Sequence, residues 1–293
     1  MNTPLPLVTV IVASYNHGPY IEACILSVLR QSYPNIELLV IDDGSSDDSV
    51  ARIEKLQNEH GFDFRVQKNQ GLTHTLNAAI ARAKGSLIAP FGSDDIMLPE
   101  RIAKQVHYMQ GKPEVGICAG NIELMDSAGN PFPEKRQQRE IPFRRLDFED
   151  VFLERKPYPP APTLLFRKEA LEEVGGFAPE IRLEDLLIEL KITHAGYYID
   201  CLGEPLARYR KHATNTYKNH RFMVDNILRT YAVFKDHPQY EAVRIRFLSS
   251  MFLKCANRDR SLARELLAQI PMRQWNKKVW RGLVRLLLPL EKR

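Results

Sequence analysis

The chain has no Cys-x-x-Cys pair, no Gly-x-Gly-x-x-Gly or P-loop signature, and no apolar run long enough to cross a bilayer. Each absence removes a class. The four cysteines, Cys24, Cys118, Cys201 and Cys255, lie far apart, which argues against a zinc site or a disulfide framework. They read as buried thiols in a reducing compartment. Without a glycine-rich turn after a strand, neither a dinucleotide fingerprint nor a P-loop NTPase is expected. No basic n-region precedes the short apolar stretch 7–13, so the expected location is cytoplasmic, at most peripheral on the inner face of the cytoplasmic membrane. No internal repeat or low-complexity segment is present.

What is there suits a soluble globular protein. The 293 residues are 44% hydrophobic and 26% charged, enough for one large domain or one domain with an extension. A net charge of +5 is too weak to argue for nucleic acid, but it suits an anionic substrate or an anionic membrane surface.

Residues 7–13 (Leu-Val-Thr-Val-Ile-Val-Ala) and 36–41 are β-branched and apolar without alternation, the pattern of central parallel strands. Residues 62–66 and 86–91 read as two more. Helical periodicity fills the gaps at about 20–32, through Val50, Ile53 and Leu56, and at 72–83, with Ser46 or Asp47 as the cap of the second helix. This alternation predicts a parallel, doubly wound sheet whose ligands bind beyond the carboxyl ends of its strands. Ser14-Tyr15-Asn16, Asp42-Asp43 and Ser93-Asp94-Asp95 all fall at that edge. Lys and Arg are absent from residues 89–100, so a divalent cation is the expected partner for Asp94 and Asp95; the alternative is an Asp-rich turn.

Further on, the pattern predicts a helix after Pro99, a strand over 115–125 and a turn over 126–130. Residues 131–162, rich in Pro, Arg and Glu, read mostly as a loop over the active edge. A strand over 163–166 and a short helix over 168–174 follow. Glu184 and Asp185 open an amphipathic helix carrying Leu187, Ile188, Leu190 and Ile192, where they also suit the helix dipole. On its own, His212 reads as a surface histidine in a basic loop.

These motifs occur in the order seen in a known family. The stretch 10–16, Gln31-Ser32-Tyr33-Pro34, residues 37–47, Asn69-Gln70-Gly71, Gly92-Ser93-Asp94-Asp95 with Pro99, Gly175-Gly176-Phe177, Glu184-Asp185 and Tyr209-Arg210-Lys211-His212 together resemble the inverting family-2 glycosyltransferases of the GT-A fold. The resemblance runs from about residue 7 to 215. It implies an α/β, mostly parallel GT-A sheet flanked by helices, with a nucleotide-sugar-binding half over 1–97, an acceptor-binding half over 98–218 and a helical extension over 219–293. It further implies transfer of a sugar from a UDP- or dTDP-type donor to a hydroxyl of a glycan or lipid-linked glycan, in lipopolysaccharide, O-antigen, capsule or a similar surface polymer.

Residue by residue, the resemblance places Ala13, Tyr15 and Asp43 around the nucleobase, and Asn16, Asn77, Ser93, Asp94, Arg210 and His212 at the nucleotide sugar. It gives the cation, Mn²⁺ or Mg²⁺, to Asp95 mainly, with Asp94 and His212. Asp185 takes the role of catalytic base, with Glu184 beside it. Two positions depart from the pattern: Gly92 stands where a longer acidic motif begins, and Leu76 precedes Asn77 where Arg is common. Two rivals are weighed against this reading, a non-catalytic nucleotide-binding module and a sugar nucleotidyltransferase. The second would need a glycine-rich basic loop that residues 14–18 do not supply.

The last segment, 275–293, mixes Trp275, Trp280 and leucines with Lys277, Lys278, Arg281 and Arg285 at helical spacing. That composition fits an interfacial helix on an anionic membrane. The alternative is a helix packed on the protein with a solvated basic face.

Overall fold

The computed structural model describes residues 5–137 and 140–288. The chain divides into two compact units, Met1–Ala213 and Thr214–Arg293. In the first, β1 (Val8–Ser14), α1 (Gly18–Leu29), β2 (Ile36–Asp42), α2 (Ser49–His60), β3 (Asp63–Val66), α3 (Leu72–Arg82) and β4 (Leu87–Gly92) alternate as the hydrophobic pattern predicts. Then come β5 (Ile96–Met97), α4 (Arg101–Met109), β6 (Val115–Met125), β7 (Arg144–Leu146), α5 (Phe148–Phe152), β8 (Leu165–Arg167), α6 (Lys168–Glu173), α7 (Glu184–His194) and β9 (Tyr198–Arg210).

One sheet holds all nine strands in the order β3-β2-β1-β4-β8-β6-β9-β5, with β7 added to β9. The long ladders, β1 with β2 and β4, β2 with β3, and β6 with β9, are parallel. Short β8 runs antiparallel between β4 and β6, so those two keep a common direction. The core forms where β1, buried along Val8–Val12, meets Ile21, Cys24 and Ile25 of α1 and Ile53 of α2. Full burial on both faces explains the absence of alternation in this strand.

Residues 131–162 are more structured than expected. β7 pairs with β9 in the register Arg144↔Cys201, and Asp147 caps α5 by accepting the Asp150 N–H at 2.8 Å. The charge of Arg144-Arg145 disguised the strand. Arg145 clamps the fully buried Asp200 with two bonds, Nε–Oδ1 2.8 Å and Nη2–Oδ2 2.7 Å, while Arg144 donates to the carbonyls of Pro157 and Tyr158. Bidentate, charge-assisted pairs of this kind can hold an arginine inside a sheet. Residues 138–139 of the expected loop lie outside the described residues.

The expected cap of α2 also differs. Asp48 occupies that position without a side-chain cap bond, its carboxylate pairing with Arg52 instead, and Asp47 accepts from the backbone of both Ser49 and Gly18, tying α2 to the start of α1.

The second unit contains α8 (His220–Ala232), α9 (Tyr240–Cys255), α10 (Arg260–Ala268) and α11 (Lys277–Leu287). Helix α11 starts at an Asn276 cap and buries Val279 and Gly282. A Cβ on Gly282 would come within 2.4 Å of the Phe252 ring, so glycine permits this close approach to α9. Among the described residues, no helix is long and apolar enough to cross a membrane.

Candidate active site

Strand register assembles the site. Ala13 lies level with Ile41 and Gly92, and Ser14 with Asp42, so the residues after β1, β2 and β4 leave the sheet at one edge. Helix α7 enters β9 through a three-residue turn and packs on β6 and β9. It therefore runs back against the strands, which puts its first turn, with Glu184 and Asp185, at the same edge.

On the β1–β2 side, the polar side chains mostly hold each other. Asn16 adopts a left-handed conformation (φ 53°), which Asn tolerates better than most residues. Its Oδ1 accepts the Ser46 N–H at 2.8 Å, and its own N–H donates to Ser45 Oγ. Buried Asp43 accepts from Gln67 Nε2, Gln70 N and Gly71 N at 2.8–2.9 Å. A carboxylate offers about four acceptor sites, so Asp43 is chiefly the organiser of the 67–71 loop, with about one site left for a ligand. Tyr15 is 50% exposed, presenting a ring to solvent beside half-buried Ala13.

On the β4 side, the antiparallel pairing of β5 with β9, Ile96↔Arg208, carries Arg210 and His212 back to Asp94 and Asp95. His212 Nε2 lies 2.8 Å from Asp94 Oδ2, and the His17 Nδ1 lies 2.7 Å from Ser93 Oγ. The ligating atoms of His17, Asp94 and His212 all fall within 4.8 Å of one another, a donor set able to hold a divalent cation.

Asp95, expected to be the principal metal ligand, is not in that cluster. It is buried, and its Oδ1 accepts the Arg210 N–H at 2.8 Å. Burial, then the charge of Asp94, pushes its carboxyl well above the ordinary range, against the pull of Arg210 and Arg101. The glycine at the acidic motif also acquires a reason: a Cβ on Gly92 would lie 3.0 Å from Asp94 Oδ1 and 3.2 Å from Asp95 Oδ2.

Arg210, expected at the donor, is engaged by the protein around it. Its Nε donates to the Asp94 carbonyl at 2.7 Å, Nη1 reaches Ser127 O, and the guanidinium lies over the Tyr20 ring. It buttresses the loop that presents Asp94. Asn77 likewise engages both polar atoms with Phe177, donating to its carbonyl and accepting from its N–H. With Lys191 Nζ on the Gly176 carbonyl, it fixes the Gly-Gly-Phe turn, where a Cβ on Gly176 would strike Asn77 Oδ1 at 2.8 Å.

At the start of α7, Asp185 Oδ1 accepts the Leu186 N–H, and burial raises the Asp185 carboxyl above its usual range. Glu184 is raised further, to about 8, by burial and then by the adjacent Asp185. One turn on, Glu189 is only 2% exposed and is also raised, by burial and then by Asp185. Neither His17 nor Glu189 stood out in the sequence. His17 sat in the first polar turn beside more suggestive residues, and Glu189 interrupts the apolar face of α7, which was the signal available.

This nine-stranded sheet, largely parallel and flanked by helices, is a GT-A fold. The signature of Glycosyl transferase family 2 matches residues 9–175, and the chain belongs to that family. It is 30% identical over 230 residues to an uncharacterized glycosyltransferase, alr2836, of Nostoc sp.; the match covers 72% of this chain and 66% of that protein. It is 29% identical to the O-antigen biosynthesis glycosyltransferase WbnJ of Escherichia coli, over 73% of this chain and 84% of that one. Among solved structures, the mannosyltransferase PcManGT from Pyrobaculum calidifontis, in complex with GDP-Man and Mn²⁺, superposes with a TM-score of 0.63 at 21% identity, covering 97% of this chain and 88% of that one.

Proposed function

We propose that the protein is an inverting glycosyltransferase that moves a sugar from a nucleoside-diphosphate donor, of the UDP or dTDP type, to a hydroxyl of a cell-surface glycan or its lipid-linked precursor. The observation that carries this reading is the Asp94–His212 contact. It joins residues 118 apart in sequence at the strand edge that also bears Asp43 and the first turn of α7.

In this mechanism Asp185 accepts the proton of the acceptor hydroxyl as that oxygen attacks the anomeric carbon. The bond from that carbon to the diphosphate oxygen breaks in the same displacement, so configuration inverts and no enzyme nucleophile is needed. Burial of Asp185 strengthens it as a base. Asp94 and His212 have the geometry to hold a divalent cation, Mn²⁺ or Mg²⁺, whose chemistry when bound is to offset charge on the departing diphosphate. Tyr15 offers a stacking face for the nucleobase, and Asp43 one remaining acceptor for a ring N–H. The Escherichia coli relative in O-antigen biosynthesis supports the acceptor class.

The test is a thermal-shift screen of nucleotide sugars with Mn²⁺, followed by turnover and determination of the product anomer by NMR. The expected result is stabilisation by one donor class and a product of opposite anomeric configuration. Retained configuration, or no donor turnover with any acceptor, overturns the reading. Pyrophosphate release from a nucleoside triphosphate would favour the nucleotidyltransferase.

A lipid-linked acceptor calls for a membrane contact, and α11 supports one. Trp280, Val284 and Leu287 form an exposed stripe, at 59%, 59% and 84%, flanked by Lys277, Arg281 and Arg285. Residues 289–293 of the expected segment lie outside the described residues. The full chain should co-sediment with vesicles rich in phosphatidylglycerol and not with phosphatidylcholine vesicles. Trp280→Glu with Leu287→Glu should abolish most of that binding. Equal sedimentation of this variant would remove α11 as the contact.

A further inference from the structure

The three-residue cluster at the end of β4 contains a member that the acidic motifs do not explain. His17 lies between β1 and α1, far in sequence from Asp94 and His212, yet all three ligating atoms fall within 4.8 Å of one another. Two donors each about 2.1 Å from one cation lie about 3 Å apart when adjacent and about 4.2 Å apart when opposite. Closing the cluster on an ion therefore needs side-chain movement on the order of half an ångström. The 2.8 Å separation of His212 Nε2 and Asp94 Oδ2 already matches two adjacent ligands.

The surroundings fix His17 in the manner of a ligand. Its Nδ1 lies 2.7 Å from Ser93 Oγ. When Nδ1–H donates there, Nε2 carries the lone pair, the arrangement by which an outer partner sets the tautomer of a metal-bound imidazole. The His17 backbone N–H donates to Ser49 Oγ, and the next N–H, of Gly18, donates to Asp47 Oδ2. A Cβ on Gly18 would meet Asp48 Oδ1 at 2.1 Å, so the backbone beside His17 is tightly enclosed. The His17 and His212 rings stand nearly perpendicular, at 82°, with centroids 5.9 Å apart. Asp95 commits its Oδ1 to the Arg210 N–H.

We propose that His17 is a third ligand, so that His17, Asp94 and His212 form a two-imidazole, one-carboxylate site that selects a transition-metal cation over Mg²⁺. The inference rests on the reading of Asp94 and His212 as the donor's cation site, and it specifies the site's composition and selectivity. Imidazole nitrogen suits Fe, Ni, Cu and Zn best, and Mn²⁺, the weakest of the first-row divalent metals, still tolerates it better than Mg²⁺, which prefers near-ideal oxygen octahedra and gives up water reluctantly. Three protein ligands leave coordination positions for diphosphate oxygens.

The experiment is Mn²⁺ titration of the chelator-stripped full chain, with free Mn²⁺ read by electron paramagnetic resonance. It is run with Mn²⁺ alone, with UDP and with GDP, and repeated in excess Mg²⁺. One Mn²⁺ per chain should bind, and a hundredfold excess of Mg²⁺ should displace little of it. His17→Ala and His17→Gln should each weaken Mn²⁺ binding at least tenfold and let Mg²⁺ compete, while metal-free melting stays near that of the wild type. Glutamine can keep a bond to Ser93 but supplies no imidazole nitrogen. Wild-type Mn²⁺ affinity in both variants, or displacement by equimolar Mg²⁺, overturns the proposal. If Asp94→Ala and His212→Ala lose Mn²⁺ while the His17 variants keep it, the inference fails and the donor-site reading stands. If the His17 variants lose Mn²⁺ but no donor is turned over, the inference stands and that reading fails.

Discussion

Asp185→Asn should reduce sugar transfer by about a thousandfold, the scale expected when a positioned general base is removed. Asparagine preserves shape and can still accept the Leu186 N–H at the start of α7. It cannot take a proton from the acceptor hydroxyl. Donor binding, followed by thermal shift with the nucleotide sugar and Mn²⁺, should remain within about twofold, because the polar groups around Asp43 and Asp94 lie on other elements. The wild-type pH profile supplies a second signature. Burial raises the Asp185 carboxyl, so the acid limb of kcat/KM should lie above the ordinary carboxylate range. Near-normal turnover in the variant would remove Asp185 from the role and leave the fold assignment untouched.

Much of the scaffold was legible because local and tertiary preferences agree there. β1, β2 and β4 are apolar on both faces, and β-branched runs of that kind fit a buried parallel ladder. β7 was not legible because the signal that makes it a strand is a buried partner 55 residues away, the Asp200 that pairs with Arg145. The same limit governs the site. Asp94 and His212 could be placed by the order of motifs, but whether a polar side chain faces a ligand or the backbone depends on register. Arg210 and Asn77 occupy suggestive positions and spend their hydrogen bonds on carbonyls and amides of neighbouring loops. His17 is the converse case. Its neighbourhood is created by the β5–β9 pairing and the close approach of β1 to β4, neither of which is written near residue 17.

Glu184→Gln should stabilise the protein at alkaline pH and do little at acidic pH. Burial, then the neighbouring Asp185, raises the Glu184 pKa from an ordinary 4.5 to about 8. Between those values the native state keeps a proton that the unfolded chain has released. Stability from this group is therefore fully present below about 4.5, and it falls as pH rises through about 8. A tenfold difference in proton affinity between the folded and unfolded states corresponds to about 1.36 kcal/mol, and the residual solvent contact of Glu184 trims the total to on the order of 1–3 kcal/mol. Glutamine is neutral throughout and escapes that loss. Melting monitored at pH 5 and pH 8.5 should show the variant level with the wild type at the lower pH and higher by a few degrees at the upper. Glu189, raised in the same sense and still present, should leave the variant with some residual decline toward high pH. An equal melting difference at both pH values would mean that Glu184 titrates as an ordinary surface carboxylate. With transfer read in parallel, the same variant separates cost from use: stabilisation with slowed turnover would identify the carboxyl pair as strain retained for catalysis, whereas stabilisation with unchanged turnover would leave Asp185 as the base acting alone.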